Sequence, residues 1–256
     1  MEGLALKLVF TPALIGAVSL AGRRWGPGVS GWLVGFPLTS GPVAFFLALD
    51  HGVRFAAAAA VGSMTGASAQ AVFCLLYGRL ARRGWGRALL AGSLGFAAAT
   101  VFFQCLGASL AWLVPIVIGA LATALVFMPK DLETSSSAPL PRWDIPARML
   151  VTTTLVFLLT GFATVLGPRL TGLLATYPLY GAILAGFAHH LQGPGPATRV
   201  LRGLLLGLFA FAGFFLVLAL SIESAGIARA FAAAIAAALI LQAGALWALR
   251  RSVSSR

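Results

Sequence analysis

Acidic side chains are nearly missing from this chain: six in 256 residues, against eighteen Lys and Arg. They are Glu2, Asp50, Asp131, Glu133, Asp144 and Glu223, and none falls at the centre of an apolar run. That disfavours an antiporter driven by a central carboxylate, and it leaves no carboxylate pair for general acid–base chemistry. Cysteine is scarcer still. Cys74 and Cys105 both fall inside apolar runs, where free Cys behaves as a small buried hydrophobe. Neither belongs to a CxxC, and no HExxH or other metal-ligand spacing occurs. No Ser-His-Asp order or Gly-rich phosphate loop is present, so no catalytic residue, metal or cofactor is assigned and the chain does not read as an enzyme. Charge of both signs totals 9%, against about 25% in a soluble domain.

Hydrophobic residues, 60% of the total, take up the difference. Apolar runs of 18 residues or more recur along the whole length, each long enough to cross a hydrocarbon core of about 30 Å as a helix. Backbone groups in lipid must be paired internally, so the runs are expected to be helical. The chain reads as an all-α polytopic membrane protein. Nine spans are predicted, at 4–21, 31–49, 55–77, 88–105, 109–128, 149–166, 172–190, 200–222 and 229–249. The fourth and fifth form one uncharged stretch, 88–128, split only by CLGAS. Two helices turning at Gly107 are the main reading, and one span with a re-entrant segment is the alternative. The first run is expected to be retained rather than cleaved as a leader, because Glu2 weakens the basic n-region and Arg23 and Arg24 follow the run.

The net charge of +12 does not point to nucleic acid, because the basic residues sit in short connections between apolar runs. With the N-terminus outside, fourteen of the eighteen fall on cytoplasmic segments: Arg23, Arg24, Arg79, Arg82, Arg83, Arg87, Lys130, Arg142, Arg148, Arg199, Arg202, Arg250, Arg251 and Arg256. Lys7, Arg54, Arg169 and Arg229 remain outside. The bias predicts a multi-pass protein of the bacterial inner membrane, N-terminus out and C-terminus cytoplasmic.

The chain also repeats itself. Residues 26–52, GPGVSGWLVGFPLTSGPVAFFLALDHG, shifted by 141 positions, fall on 167–193, GPRLTGLLATYPLYGAILAGFAHHLQG. Nine of 27 positions are identical without a gap, among them Pro27 with Pro168 and Pro37 with Pro178. The register continues into a GxxxG at Gly62 and Gly66 that meets Gly203 and Gly207. Two proline matches and five glycine matches in register indicate an internal duplication. The predicted parts are a four-span repeat at 1–107, a linker span at 108–128, a solvated, Pro- and Ser-rich cytoplasmic loop at 129–148 and a second four-span repeat at 149–256. An odd linker span reverses the second repeat, so the two four-helix repeats are expected to be inverted about an axis in the membrane plane.

Each repeat has an apolar first span, then GWLVGFP or GLLATYP, then an apolar run closed by a short polar Gly connection and a Gly-bearing third span. In these features each half resembles the GlpM/YdgC-like family of small bacterial inner-membrane proteins, which are about half this length. The resemblance covers about 100 residues of each half, and this chain departs from it in being a tandem with a linker span. It implies a membrane role linked by name to alginate production. It implies no mechanism and no site residue.

Polar groups and backbone breaks inside spans are the functional candidates. Pro37 and Pro178 hold the seventh position of spans 2 and 7, and each is expected to free the carbonyl four residues back, Leu33 or Leu174. Thr39, Ser40, Thr176 and Tyr180 are near enough to re-satisfy the backbone. A close-packed kinked helix is one outcome. A pair of broken helices lining a substrate pathway is the other. Ser63 and Gln70, in GSMTGASAQ at 62–70, extend that candidate pathway, although small hydroxyl residues also serve helix packing. Asp50 with His51, and His189 with His190, end spans 2 and 7 and are candidate gates or interfacial residues at the two mouths. Gln104, Gln242 and Glu223 are weaker candidates. The expected function is a small-solute permease of unknown substrate. The alternative is a non-transporting accessory subunit for envelope or exopolysaccharide assembly. Expected partners are the lipid bilayer and, further, a second copy of the chain or an envelope-assembly protein.

Overall fold

The structure, a computed structural model, describes residues 2–38, 40–106, 109–129, 141, 143–161 and 177–254. At 2–11, 43, 47, 50, 156, 158–161 and 246–254 it describes the backbone alone. Every regular element among the described residues is helical. In chain order they are α1 (Glu2–Trp25), α2 (Pro27–Val34), α3 (Ser40–His51), α4 (Val53–Leu80), α5 (Trp85–Leu106), α6 (Leu110–Phe127), α7 (Asp144–Gly161), α8 (Leu179–Gln192), α9 (Pro194–Ala225) and α10 (Ile227–Ser254). A 3-10 turn, Ala81–Arg83, extends α4.

Five helices among the described residues are long and apolar enough to cross a membrane: α4 with its 3-10 turn, α5, α6, α9 and α10 up to Ala245. The chain is therefore a helical membrane protein. The stretch 88–128 folds as two helices of that length rather than one, with Gly107 outside the described residues. Span 2 is not continuous. Its first helix, α2, ends at Val34, and a second, α3, begins at Ser40. The part of span 7 that is described begins just before Pro178 and forms α8.

Glycine sets the helix boundaries. Gly26, Gly52, Gly84, Gly193 and Gly226 have φ between 77° and 100°, and each stands between two successive helical elements. With ψ near 160–180° at Gly52 and Gly193, the backbone is in a region that only glycine adopts freely. Proline follows at Pro27 and Pro194, the first helical position, where its missing N–H costs nothing. Gly52 and Gly193 are 141 residues apart, and Gly84 and Gly226 are 142 apart, so these boundaries recur with the sequence repeat.

Two pairs of helices run in opposite directions. Arg23, near the end of α1, reaches Asp144 at the start of α7, and Gly16 lies against Met149, so α1 and α7 pack antiparallel. The end of α4 (Gly78, Arg79) and the beginning of α9 (Arg202) both meet the last residues of α6, so α4 and α9, which pack on each other, are also antiparallel. The nine arginines from the predicted cytoplasmic set whose side chains are described gather at helix ends on one side, hereafter the basic end. Exposed Trp25, Trp85 and Trp143 stand at the same end, as an interfacial belt requires. Elsewhere the surface is apolar: Leu94, Phe102 and Ile240 are more than 60% exposed.

The tightest seam joins α2 to α9. A Cβ added at Gly31 would enter the carbonyl of Val200, and one at Gly203 would enter the carbonyl of Gly28. One at Gly35 would lie 2.6 Å from Gly207 Cα. GxxxG on α9 thus packs against a second GxxxG, Gly31 and Gly35, on α2. The matching motif on α4 differs, since nothing lies within 4 Å of a Cβ at Gly62. Gly203→Ala should therefore lower the melting temperature in detergent by roughly 5 °C or more, an overpacking cost of at least 1–3 kcal/mol. Gly62→Ala should leave it unchanged, and equal effects from the two substitutions would contradict this packing.

Candidate functional site

Proline disrupts the backbone ladder at the end of α2. Pro37 has no N–H, yet the carbonyl of Leu33 does not go without a donor, contrary to the sequence expectation. Phe36 N–H bonds it at 3.2 Å in a tightened last turn. That closure diverts Phe36 from Trp32, and Gly35 N–H is taken by Gly31 (3.0 Å), so the displaced carbonyl is Trp32's. Its partner comes from α10: Gln242 Nε2 donates to Trp32 O at 2.9 Å, across 210 residues. Among the described residues, no nearby hydroxyl supplies this bond. Val34 O is also left outside the ladder, because Pro37 has no proton to give and Leu38 N–H turns back to Phe36 O at 2.7 Å.

The same device stands before α8. Leu179 N–H bonds Tyr177 O at 2.7 Å around Pro178, whose φ of −75° and ψ of 57° are those of an inverse γ-turn. The proline carbonyls then start the next helix in both places, Pro37 O accepting from Gly41 (2.9 Å) and Pro178 O from Ala182 (2.8 Å). All four bonded pairs correspond at an offset of 141. The two proline turns lie close to one residue of α9. A Cβ at Gly35 would lie 2.7 Å from Leu204 O, and one at Gly181 would lie 2.6 Å from the Leu204 side chain.

Around the second break the walls are aromatic and hydroxylic. Tyr177 packs edge-on against Phe73 and Phe96, with centroids 5.7 and 5.5 Å away. Its hydroxyl is 2.8 Å from Ser93 Oγ, and Ser93 donates to Leu89 O (2.8 Å), so Tyr177 is the donor in their pair. Ser63 and Thr65 return their hydroxyls to the carbonyls of Ala59 and Val61 on their own helix. Gly66 and Ala67 are buried, and Gln70 is half-buried and partnered. Ser40 opens α3, and Tyr180 packs partly buried against the core. Thr39 and Thr176 lie outside the described residues.

At the basic end His189 is buried. Its Nδ1 lies 3.1 Å from the hydroxyl of Tyr77, a residue that sequence reasoning passed over. His190 is exposed, edge-on to Trp85. At the opposite end His51 is exposed against Phe55, and the side chain of Asp50 is not among those described.

Two other expectations are corrected at the charged and sulfur-bearing residues. The end of segment 129–148 is not a solvated loop. α7 begins at Asp144, which is buried and accepts from Arg148 Nε (2.7 Å) and Arg23 (3.4 Å). Arg148 is buried too, 5.4 Å over the ring of Phe187. Desolvation lowers its pKa, while the charge of Asp144 and their hydrogen bond raise it. Cys74 is buried as expected, but Cys105 is exposed on the outer surface of α5. Two arginines also secure α6. Arg79 donates to Phe127 O (2.8 Å), and Arg202 donates to Leu125 O (2.9 Å) and Met128 O (3.3 Å), capping its last carbonyls.

No family model, no curated protein and no solved structure matches the chain.

The bond from Gln242 is one that sequence could not anticipate, and it is testable. Gln242→Leu should leave the part-buried Trp32 carbonyl without this donor, at a cost of about 1 kcal/mol or more, visible as a lower thermal midpoint in detergent. Thr100→Val should be near neutral, because that hydroxyl only bonds Phe96 O on its own helix. A Gln242→Leu protein as stable as the parent would remove this role.

Proposed function

We propose that the chain is an inner-membrane permease for a small solute, built as two inverted four-helix halves joined by α6 and lined at its centre by two proline-broken helices. The observation that carries this reading is the recurrence, 141 residues apart, of the same γ-turn and helix restart at Pro37 and Pro178, both close to Leu204. Antiparallel packing of α1 with α7 and of α4 with α9 supports the inversion. Broken helices at matched positions place half-helix ends inside the bundle, where partial charges serve solute recognition in transporters generally. The pathway candidates remain Pro37, Thr39, Ser40, Ser63, Gln70, Thr176, Pro178 and Tyr180. The basic end faces the cytoplasm in this reading, with nine crossings, the N-terminus out and the C-terminus in.

A second reading has a specific observation in its favour. The α2–α9 seam is closed backbone to backbone, which suits a packed accessory subunit for envelope or exopolysaccharide assembly. Single cysteines at Thr39, Ser63, Gln70 and Thr176, in a protein lacking Cys74 and Cys105, separate the two. A permease should label at two or more of these positions with small permeant thiol reagents in intact vesicles. Protection at all four, with normal folding, rejects the permease in favour of the dry subunit. A cysteine at Ser136 should label only after the inner face is opened to an impermeant reagent, and labelling from outside would reverse the assigned orientation.

A further inference from the structure

Two guanidinium groups share one carboxylate where α1 meets the start of α7. Asp144, whose side chain is 1% exposed, gives one oxygen to Arg148 Nε (2.7 Å) and the other to Arg23 Nη2 (3.4 Å). Arg23 Nη2 also donates to Pro141 O at 2.9 Å. Both carboxylate oxygens are therefore engaged, and the cluster has two positive charges against one negative. A guanidinium carries five N–H donors in a rigid fork and accepts nothing. Arg148 uses the one on Nε, and Arg23 uses those on Nη2. The Nη groups of Arg148, and Nε and Nη1 of Arg23, meet no acceptor among the described residues. The flat face of Arg148 rests on the ring of Phe187 from α8, 5.4 Å from its centroid, which fixes the plane of the fork.

Such a pair has room for a second anion. The Arg148 side chain is only 8% exposed, so water is a poor substitute for the acceptors it lacks, and a buried charge in excess of its partner is costly. Access is from the side of Arg23, whose side chain is 31% exposed. What can arrive there follows from the flanking residues. Trp143 immediately precedes Asp144 and is 55% exposed, and Trp25 stands two residues after Arg23 and is 64% exposed. Arg24 lies 5.8 Å over the ring of Trp25. Exposed tryptophan beside arginine at the end of a membrane helix belongs to the headgroup layer. The anion met at that depth is a lipid phosphate, whose paired oxygens match the guanidinium fork.

We propose that Arg23 and Arg148 form a binding site for the phosphate of an anionic lipid. Arg23 takes the phosphate on the open side, and Arg148 offers its Nη donors from within. Asp144 holds the two forks together, and the bound phosphate balances the remaining positive charge. Because Arg23 ends α1 and Arg148 lies on the first turns of α7, the lipid ties the beginning of the chain to its second half. The inference requires nothing of the permease reading and applies equally to a packed subunit.

The test is native mass spectrometry of the full chain in detergent, titrated with phosphatidylglycerol or with phosphatidylcholine. One phosphatidylglycerol should bind about tenfold more tightly than phosphatidylcholine. Arg148→Lys keeps the charge and loses the fork, and Arg23→Gln loses both. Each should lower the affinity for phosphatidylglycerol by roughly fivefold or more, and Arg23→Gln gives the reading should Arg148→Lys fold poorly. Arg82→Gln, on the 3-10 turn at the same end, should leave it unchanged. A parent that does not distinguish the two lipids overturns the proposal. So does an equal loss in Arg82→Gln, which would make the preference a property of the whole basic end. A preference that emerges only after Asp131→Asn with Glu133→Gln would show that the chain supplies its own anion, and also overturns it. Displacement of the lipid by millimolar inorganic phosphate would assign the site to a soluble anion instead of a lipid.

Discussion

In a bilayer a peptide group that leaves its helix has no water to turn to, and the carbonyl of Trp32 shows how much of this fold hangs on that constraint. The proline at 37 displaces it, and a tightened turn passes the deficit back along α2. Only a side chain from the last helix closes the account. That one bond requires α10 to lie beside α2, although the two are separated by almost the whole sequence. It also requires α9 to let α2 come close, since Trp32 O lies 2.5 Å from where a Cβ at Gly207 would stand. The glycines of the α2–α9 seam and the amide of Gln242 are therefore parts of one solution.

The second break is supported differently. Tyr177, the counterpart of Phe36, brings a hydroxyl that Phe36 lacks and gives it to Ser93. Phe73 and Phe96 enclose it, whereas the counterpart of Phe96 on the other side is the small, fully buried Ala238. The turns and helix starts at Pro37 and Pro178 match, while the side chains around them differ, so one backbone geometry has two unlike surroundings.

Much of this was legible in the sequence, for physical reasons that can be named. Glycine with positive φ cannot be replaced cheaply, so Gly26, Gly52 and Gly193 mark real helix boundaries. Proline within an apolar run marks a place where a helix can break, as Pro37 does, although Pro12 and Pro115 stand inside the continuous helices α1 and α6. What could not be read is which neighbour each face meets. Lipid and protein interior are equally apolar, so nothing in the sequence distinguishes Cys74, which is buried, from Cys105, which is not. The same blindness hid Gln242 and Tyr77, whose partners are 210 and 112 residues away. Asp144 was misread because serine and proline upstream suggested a solvated loop. Its burial depends on Arg23, which is 121 residues earlier and carries no local signal.

Arg79 and Arg202 both close on the end of α6, yet neither has a basic counterpart in the other half: their equivalents are Leu220 and Val61. Two antiparallel helices such as α4 and α9, left to themselves, have no up or down. The helix held at their shared end removes that ambiguity. Because two guanidinium groups hold the tail of α6 and nothing comparable holds its head among the described residues, this trio of helices has a built-in arrow.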